Sequence, residues 1–391
     1  MLIPKDETEL GAAVRDASGP LRLQGGGTRP IGTPVQGEVL SVAGLSGITF
    51  YEPGALTLVA RAGTPMAEIE VALAAENQQL PFEPMDHRAL LATSGTPTIG
   101  GTVAVNASGP RRIQAGACRD SLIGVRFVDG AGRIIKNGGR VMKNVTGYDL
   151  VKLMAGSYGT LGVLTEVSFK VLPKVAATAT VIIDGLSPEA AVRAMAAALG
   201  SPFEVSGAAH LLNGPKGGPV TMLRVEGFAN SVAYRAAQLR TLLDSAGPIQ
   251  VKAGDAAKTP AGAEVEATSW AAVRDVKAFA GREGDVWRIS VRPTDAPGIL
   301  VRAGAADAIL DWGGGLIWAL VPPGTDLRAR IAPFAGHTTL IRAEEVTRAR
   351  VPVFQPEAAP IAALSAGLRA EFDPRGILNP GLMTTAEVLP A

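Results

Sequence analysis

Leu21-Arg22-Leu23-Gln24-Gly25-Gly26-Gly27-Thr28-Arg29-Pro30 is the stretch on which the fold turns. Leu21 and Leu23 alternate with polar neighbours as in a half-buried strand, and the strand runs directly into successive glycines. The dinucleotide fingerprint G-x-G-x-x-G would need glycine at position 30, where Pro30 stands, and the run from Pro30 to Pro34 cannot open a long helix. Two readings remain. One is a plain glycine turn between strands. The other is a loop whose backbone N–H groups, freed of Cβ sterics, turn inward as a nest for a pyrophosphate, with the Thr28 hydroxyl as a further donor.

Working outward, 25 of the 47 glycines lie before residue 165, where they crowd into loops. A second cluster, Thr98-Ile99-Gly100-Gly101-Thr102-Val103-Ala104-Val105-Asn106-Ala107-Ser108-Gly109-Pro110, reads as glycine pairs flanking a small-residue strand, over which a flat ring could lie. It is equally a closely packed strand and turn. A third runs from Lys143-Asn144-Val145-Thr146-Gly147-Tyr148-Asp149-Leu150 to Gly156-Ser157-Tyr158-Gly159-Thr160-Leu161-Gly162-Val163-Leu164-Thr165-Glu166, and taken alone it is a loop and a hairpin. Between these clusters Lys5 to Ala17 has helical spacing and Leu56 to Ala62 reads as a strand. Thr64 as N-cap and Pro65 at N1 then open a helix carrying Met66, Ile69, Leu73 and Leu80 on one face. Short strands are expected at Thr102 to Val105, Leu122 to Val128, Arg133 to Lys136 and Val163 to Val171, with a brief helix at Leu150 to Met154. Pro173 marks a boundary.

After about residue 177 the pattern changes. A strand at Thr178 to Asp184, a helix capped at Ser187 with Pro188 at N1, strands near Phe203 to Leu212 and Val220 to Phe228, a helix from Ser231 and a strand from Ile249 give the order β-α-β-β-α-β. That order is the ferredoxin-like arrangement, helices on one face of a sheet. A helix at Ala263 to Ala280 and strands at Val286 to Val291, Ala308 to Asp311 and Leu316 to Val321 allow a similar second half. A final helix places Ile361, Leu364, Leu368 and Phe372 on one face.

Composition narrows the function class. The chain has 391 residues, 47% hydrophobic and 19% charged, with a formal net charge of +1, so no whole-protein field favours nucleic acid or an anionic membrane. The single cysteine, Cys118, cannot close an internal disulfide, which points to a reducing compartment. No signal peptide, membrane span or metal-ligand spacing is expected, and His87, His210 and His337 lie far apart. A cytoplasmic location follows, at most at the inner face of the membrane through partners.

The ordered set formed by Leu23 to Thr28, Leu80-Pro81-Phe82-Glu83-Pro84, Thr98 to Pro110, Arg119 to Gly124, Lys143 to Glu166 and Phe372-Asp373-Pro374-Arg375-Gly376-Ile377-Leu378-Asn379-Pro380-Gly381 resembles the PCMH-type FAD-binding domain of the vanillyl-alcohol oxidase superfamily. Within it the chain is similar to the FAD-binding subunits of bacterial glycolate oxidases. The resemblance implies an α+β fold: a PCMH-type FAD-binding domain of two α+β subdomains over residues 1–173, a ferredoxin-like cap over 174–350, and a tail, 351–391, returning to the FAD domain. It implies that Gly25, Gly26, Gly27 and Thr28 hold the pyrophosphate. Thr98, Gly100, Gly101, Ser108 and Gly109 would line the flavin and its ribityl arm, Gly159, Gly162 and Val163 would border the adenosine, Asn379 would close over the cofactor, and Pro84 is a further expected cofactor-binding residue. Some relatives attach flavin through a histidine in the first loop or a cysteine in the second. Arg29 follows the first loop here and the second has no cysteine, so FAD is expected to be non-covalent, with Cys118 a packing residue.

Oxidising a 2-hydroxy acid needs a cation for the carboxylate, a base for the hydroxyl proton and a hydride acceptor, the last supplied by flavin. Catalytic relatives carry Gly-His-x-Gly-Asp-Gly-Asn-x-His and Glu-His-Gly segments that hold a metal; neither occurs here. What remains is His337 in Ala335-Gly336-His337-Thr338, with Arg342 five residues on, and Arg111 and Arg112 after the second loop. As a plain strand, the alternation sends His337 and Arg342 to opposite faces. The four tryptophans are expected in the core, and His87 in a solvated loop. The resemblance therefore implies a subunit that works with a catalytic flavoprotein subunit and an iron–sulfur subunit on a small 2-hydroxy acid. The alternatives are a self-sufficient FAD-dependent hydroxy-acid or sugar oxidase and a non-catalytic nucleotide-binding scaffold.

Overall fold

The computed structural model describes residues 1–140, 147–215, 217–255 and 270–383. The chain divides into two units. The first takes Met1–Ser108, Gly116–Lys174 and the chain from Pro356 on; the second takes Gly109–Ala115 and Val175–Gln355. The short stretch after the second glycine cluster thus belongs to the second unit, which the sequence did not suggest.

The first unit is built on a five-stranded antiparallel sheet in the order Ile48–Glu52, Thr57–Arg61, Val163–Lys170, Leu122–Val128 and Ile134–Gly138. Helix Met66–Ala75 buries Met66, Ile69 and Leu73 in its core with Phe82, Phe127 and Phe169. Each such side chain, fully buried, contributes on the order of 1.5–3 kcal/mol. Thr64 does not cap that helix: its hydroxyl donates to the Arg61 carbonyl (2.7 Å) and accepts from the Gly47 N–H (2.9 Å), and Pro65 takes the cap position. A separate core gathers Leu10 and Val14 of helix Glu7–Asp16 with Leu21, Leu40, Ile377 and Leu378, around the parallel pair Leu21–Gln24 and Glu38–Ser41.

The strand expected at Thr102 to Val105 is instead part of a helix, Ile99–Ala104, with Thr98 at its N-cap accepting from the Gly101 N–H (3.3 Å). Glycine has low helix propensity, but a Cβ on Gly100 would sit 2.6 Å from Ala62 Cβ, so close packing decides the conformation over local preference. The expected segment Lys143 to Thr146 lies outside the described residues. Asp149 caps the brief helix Leu150–Met154.

The second unit carries an eight-stranded antiparallel sheet in the order Ile249–Asp255, Ala177–Asp184, Val220–Gly227, Val205–Leu211, Asp307–Asp311, Leu316–Val321, Asp285–Val291 and Gly336–Arg342. Each half has its four strands in the ferredoxin-like order, and the halves join through Val205–Leu211 and Asp307–Asp311. Ser187 caps helix Pro188–Leu199, with Pro188 in its first turn. Of the helix expected over 263–280, residues 263–269 lie outside the described residues; the helix present from Trp270 is followed by the turn Lys277–Phe279. Paired residues share a face of a sheet. Arg224, Ile309, Trp318, Arg288, Thr339, Ser290 and His337 therefore lie on one face, and Leu223, His210, Leu310, Ile317, Ile289 and Thr338 on the other.

Candidate functional site

In the first unit the first glycine loop and the stretch Thr93 to Gly101 meet backbone to backbone. A Cβ on Gly26 would lie 1.5 Å from the Thr96 carbonyl oxygen, one on Gly95 1.8 Å from the Gly26 oxygen, and one on Gly25 2.6 Å from Thr98 Oγ1. Gly26 and Gly95 are thus required first by each other's loop. The Thr93 hydroxyl donates to the Thr28 carbonyl at 3.2 Å and fixes the pair of loops. Among the described residues, none accepts a hydrogen bond from the N–H of Gly25, Gly26, Gly27 or Thr28. Successive backbone donors not committed to a described residue suit a pyrophosphate, so the residues present are compatible with FAD.

Arg29, next along, is largely enclosed. Its Nε donates to His87 Nδ1 (3.1 Å) and its Nη2 to the Met85 carbonyl (3.1 Å). Burial pushes the guanidinium down to about 10, against the opposing pull of Asp86, so the group stays charged at neutral pH. His87 is therefore buried and not the solvated loop residue expected. Pro84 is half-buried between Glu83, whose φ is +46°, and Met85. Gly101 lies beside this guanidinium: a Cβ there would be 3.5 Å from Arg29 Nη1. Nothing in the sequence around Met85-Asp86-His87-Arg88 signals that pairing.

The remaining expected cofactor residues are placed as follows. Asn379 is buried, with Oδ1 accepting the Leu23 N–H (2.8 Å) and Nδ2 donating to the Tyr158 carbonyl (2.9 Å). Its amide ties the strand before the first glycine loop to the turn before Gly159, whose φ is +74°. Gly162 makes room for Phe127, whose ring atom would be 2.6 Å from an added Cβ, and Val163 is a core residue. The Ser108 hydroxyl donates to the Asn106 carbonyl and accepts the Cys118 N–H (3.0 Å). Gly109 belongs to the second unit, where its carbonyl accepts from Trp312 Nε1 (3.1 Å). Cys118 is buried, and that burial raises its thiol pKa far above the ordinary value.

In the second unit two of the candidate catalytic residues are structural. Arg111 forms a buried ion pair with Glu226 at 2.5 Å. Arg342 donates to the carbonyls of Phe279 (2.8 Å), Arg282 (2.8 Å) and Gly284 (3.2 Å), fastening a turn. A bulge at Ile341 also cancels the simple alternation: Arg342 pairs with Val286 while Leu340 pairs with Trp287, which returns Arg342 to the face of His337 although its guanidinium is held at the strand's far end. His337 opens to solvent. Packing around its ring, followed by the charges of Arg288 and Arg112, lowers its pKa. Trp270, Trp287 and Trp318 are core residues as expected; Trp312 is half-buried and stacked by arginines, a role that composition did not reveal. Among the described residues no group of three or more His, Cys, Asp or Glu could hold a metal, and no helix is long and apolar enough to cross a membrane.

Residues 1–138 match the FAD binding domain family. The chain is 36% identical over 378 residues to the Escherichia coli glycolate oxidase subunit GlcE, covering 96% of this chain and 95% of that protein. It is 32% identical over 164 residues to the Bacillus subtilis glycolate oxidase subunit GlcD, 42% of this chain and 34% of that one. Among solved structures, 4-ethylphenol oxidase from Gulosibacter chungangensis superposes with a TM-score of 0.71 at 12% identity, covering 99% of this chain and 90% of that one. An alkyldihydroxyacetonephosphate synthase superposes with a TM-score of 0.67 at 15% identity, covering 97% and 76%. These structural likenesses speak for the fold.

Proposed function

Because the chain belongs to the family of the glycolate oxidase subunit GlcE, we propose that it is the FAD-binding subunit of a complex that oxidises glycolate, a 2-hydroxy acid, to glyoxylate and passes the electrons onward. FAD is its cofactor, and the chain is an FAD-dependent oxidoreductase. The observation that carries the finer reading is the end-to-end likeness to a protein named as a subunit, over 96% of this chain. The partners would be a catalytic flavoprotein subunit and an iron–sulfur subunit.

When bound, FAD supplies the hydride acceptor and a route for returning the electrons to a later carrier. The chain's residues would do the holding. The N–H groups of Gly25 to Thr28 would take the pyrophosphate oxygens. Gly100, Gly101 and Pro84 would border the ring system without covalent attachment. Arg29, fixed by His87 and Met85, brings a positive charge into the same unit. Asn379 keeps Leu23 and Tyr158 in register, so the loop after one and the turn after the other keep their spacing.

The test is a steady-state assay of the purified, FAD-loaded chain with glycolate and an artificial acceptor dye, beside the same assay on the reconstituted complex. Turnover confined to the complex is the expected result; equal turnover in both samples overturns the partner-dependent reading. A colourless purified chain that takes up no added FAD overturns the cofactor assignment as well and returns the scaffold alternative.

A further inference from the structure

Strand pairing in the first unit sets Ser168, Gly124 and Gly138 side by side in one row of the five-stranded sheet, and Glu166, Arg126 and Lys136 in the next row on the same face. Two of the three residues in the first row have no side chain, which leaves a trough in the sheet. The chain turns back over it. Gly138 takes a φ of +69°, the Gly139 N–H donates to the Ile123 carbonyl (3.1 Å), and a Cβ on Gly124 would lie 2.6 Å from the Gly139 carbonyl oxygen. Arg140 carries the crossing on, with its guanidinium carbon 4.1 Å from the centroid of the Phe50 ring. Beside this crossing is a cavity of about 470 Å³ lined by Lys136, Gly139, Arg140, Glu166 and Ser168.

The polar groups around the cavity are unequally used. Arg126 is paired with Glu7, Nε to Oε1 at 2.8 Å, and Glu166 accepts from the Thr49 hydroxyl at 2.9 Å through Oε2. Lys136 and Arg140 are exposed, and neither forms an ion pair with a described residue. Ser168 is only 7% exposed, yet its hydroxyl has no hydrogen-bond partner among the described residues. So enclosed a hydroxyl is ordinarily bonded. We propose that this cavity binds a phosphate monoester of a small hydroxylated carbon skeleton. Arg140 brings a planar fork whose stacking on Phe50 sets its orientation before the ligand arrives, Lys136 adds a compact charge, and Ser168 adds a neutral donor. Together they match the oxygens of a dianionic phosphoryl group. The Glu166 carboxylate repels a bare anion but accepts from a hydroxyl of the skeleton, which selects the ester over the free ion. The volume is that of a site for a small organic molecule. None of these residues is assigned to FAD, so the site stands apart from the oxidation chemistry.

The experiment titrates glycerol 3-phosphate, inorganic phosphate and glycerol separately into the purified FAD-loaded chain at low ionic strength and follows the heat of binding. Glycerol 3-phosphate should bind saturably at one site per chain, inorganic phosphate about threefold or more weakly, and glycerol not at all. Arg140→Met and Lys136→Met should each weaken the ester by about tenfold, the loss of one charged hydrogen-bonding group. Arg140→Lys, which keeps the charge without the fork, should recover part of that loss. Glu166→Gln should tighten inorganic phosphate and narrow the preference for the ester, a change of sign that damage to the fold would not produce. FAD content, read from the visible spectrum, should be the same in all of these. No saturable binding of glycerol 3-phosphate, binding unaltered in the Lys136 and Arg140 variants, or binding only to chain stripped of its FAD overturns the site. Equal affinity for inorganic phosphate and the ester overturns its assignment to an ester.

Discussion

Arg29 donates from Nε to Nδ1 of His87 across 3.1 Å, so an enclosed guanidinium is anchored on a neutral ring, with the Met85 carbonyl as its second anchor. Neither acceptor carries a formal negative charge. Confining a cation this way is costly for the protein alone, because the neutral dipoles it touches and the Asp86 charge nearby offset its desolvation only in part. An anionic cofactor in the same unit changes that balance. Arg29→Met should therefore lower FAD affinity about tenfold to a hundredfold, the range for a hydrogen bond to a charged group, while the melting temperature of the FAD-free chain stays level or rises. Fluorimetric FAD titration and calorimetry measure the two effects independently. Unchanged affinity would remove Arg29 from the cofactor site.

Gly26→Ala should destabilise the first unit. Its Cβ would meet the Thr96 carbonyl at 1.5 Å, and that obstacle is backbone, which can yield only by parting the two loops. The expected cost is about 1–3 kcal/mol, or more if the loops cannot adjust, with FAD lost in parallel. Gly19→Ala, where nothing lies within 4 Å of the added Cβ, should stay within about 0.5 kcal/mol. Equal denaturation midpoints for the two variants would contradict the loop-to-loop packing.

Asn379→Ala leaves the Leu23 N–H and the Tyr158 carbonyl without their partner, at a cost on the order of 2–4 kcal/mol. Asn379→Asp should fare no better, because a carboxylate oxygen would then face the Tyr158 carbonyl. Urea denaturation of all three proteins tests this; an Asp variant as stable as wild type would show that the donor is dispensable.

His210 lies in the centre of the second sheet with Nδ1 on the Thr221 hydroxyl (2.9 Å), and burial lowers its pKa to about 4. An unfolded histidine titrates near 6.5, so between pH 6.5 and 4 the unfolded chain binds a proton that the folded chain refuses. Stability contributed by the neutral ring is complete above that window and falls as the pH drops through it, by up to about 1.4 kcal/mol per pH unit. His210→Gln should lose less stability than wild type between pH 7 and pH 5. Parallel slopes for the two proteins would show that another group dominates acid unfolding.

Much of the second unit was legible because its strands and helices follow the rules of local pattern: Ser187 and Pro188 announce a helix start, and Val286 to Val291 and Leu316 to Val321 are strands by composition. The helix Ile99–Ala104 was not, since Gly-Gly-Thr-Val-Ala has no helical signature and forms one only where Gly100 must lie against Ala62. Arg342 misled because a bulge leaves no trace in alternation. Of the candidate site, each glycine loop taken alone reads equally as a plain turn, and only the ordered set of motifs and its resemblance to a known family picks them out. The pairing of Arg29 with His87 and the stacking of Arg112 and Arg288 on Trp312 join residues far apart in the chain, and no local pattern encodes such meetings.

The crossing of the chain between units sets an order on synthesis. When Gly109–Ala115 leaves the ribosome, the carboxylate that Arg111 will meet, Glu226, has not yet been made, and neither has Trp312 for Arg112. The stretch must wait while the rest of the first sheet is added around its flanks. The first unit waits longer still: Leu23 and Tyr158 have their common partner only once residue 379 is joined. The first unit cannot finish before the second has been made, so a nascent chain interrupted at about residue 355 would have all the strands of its second sheet synthesised while its cofactor cradle still lacked its tie.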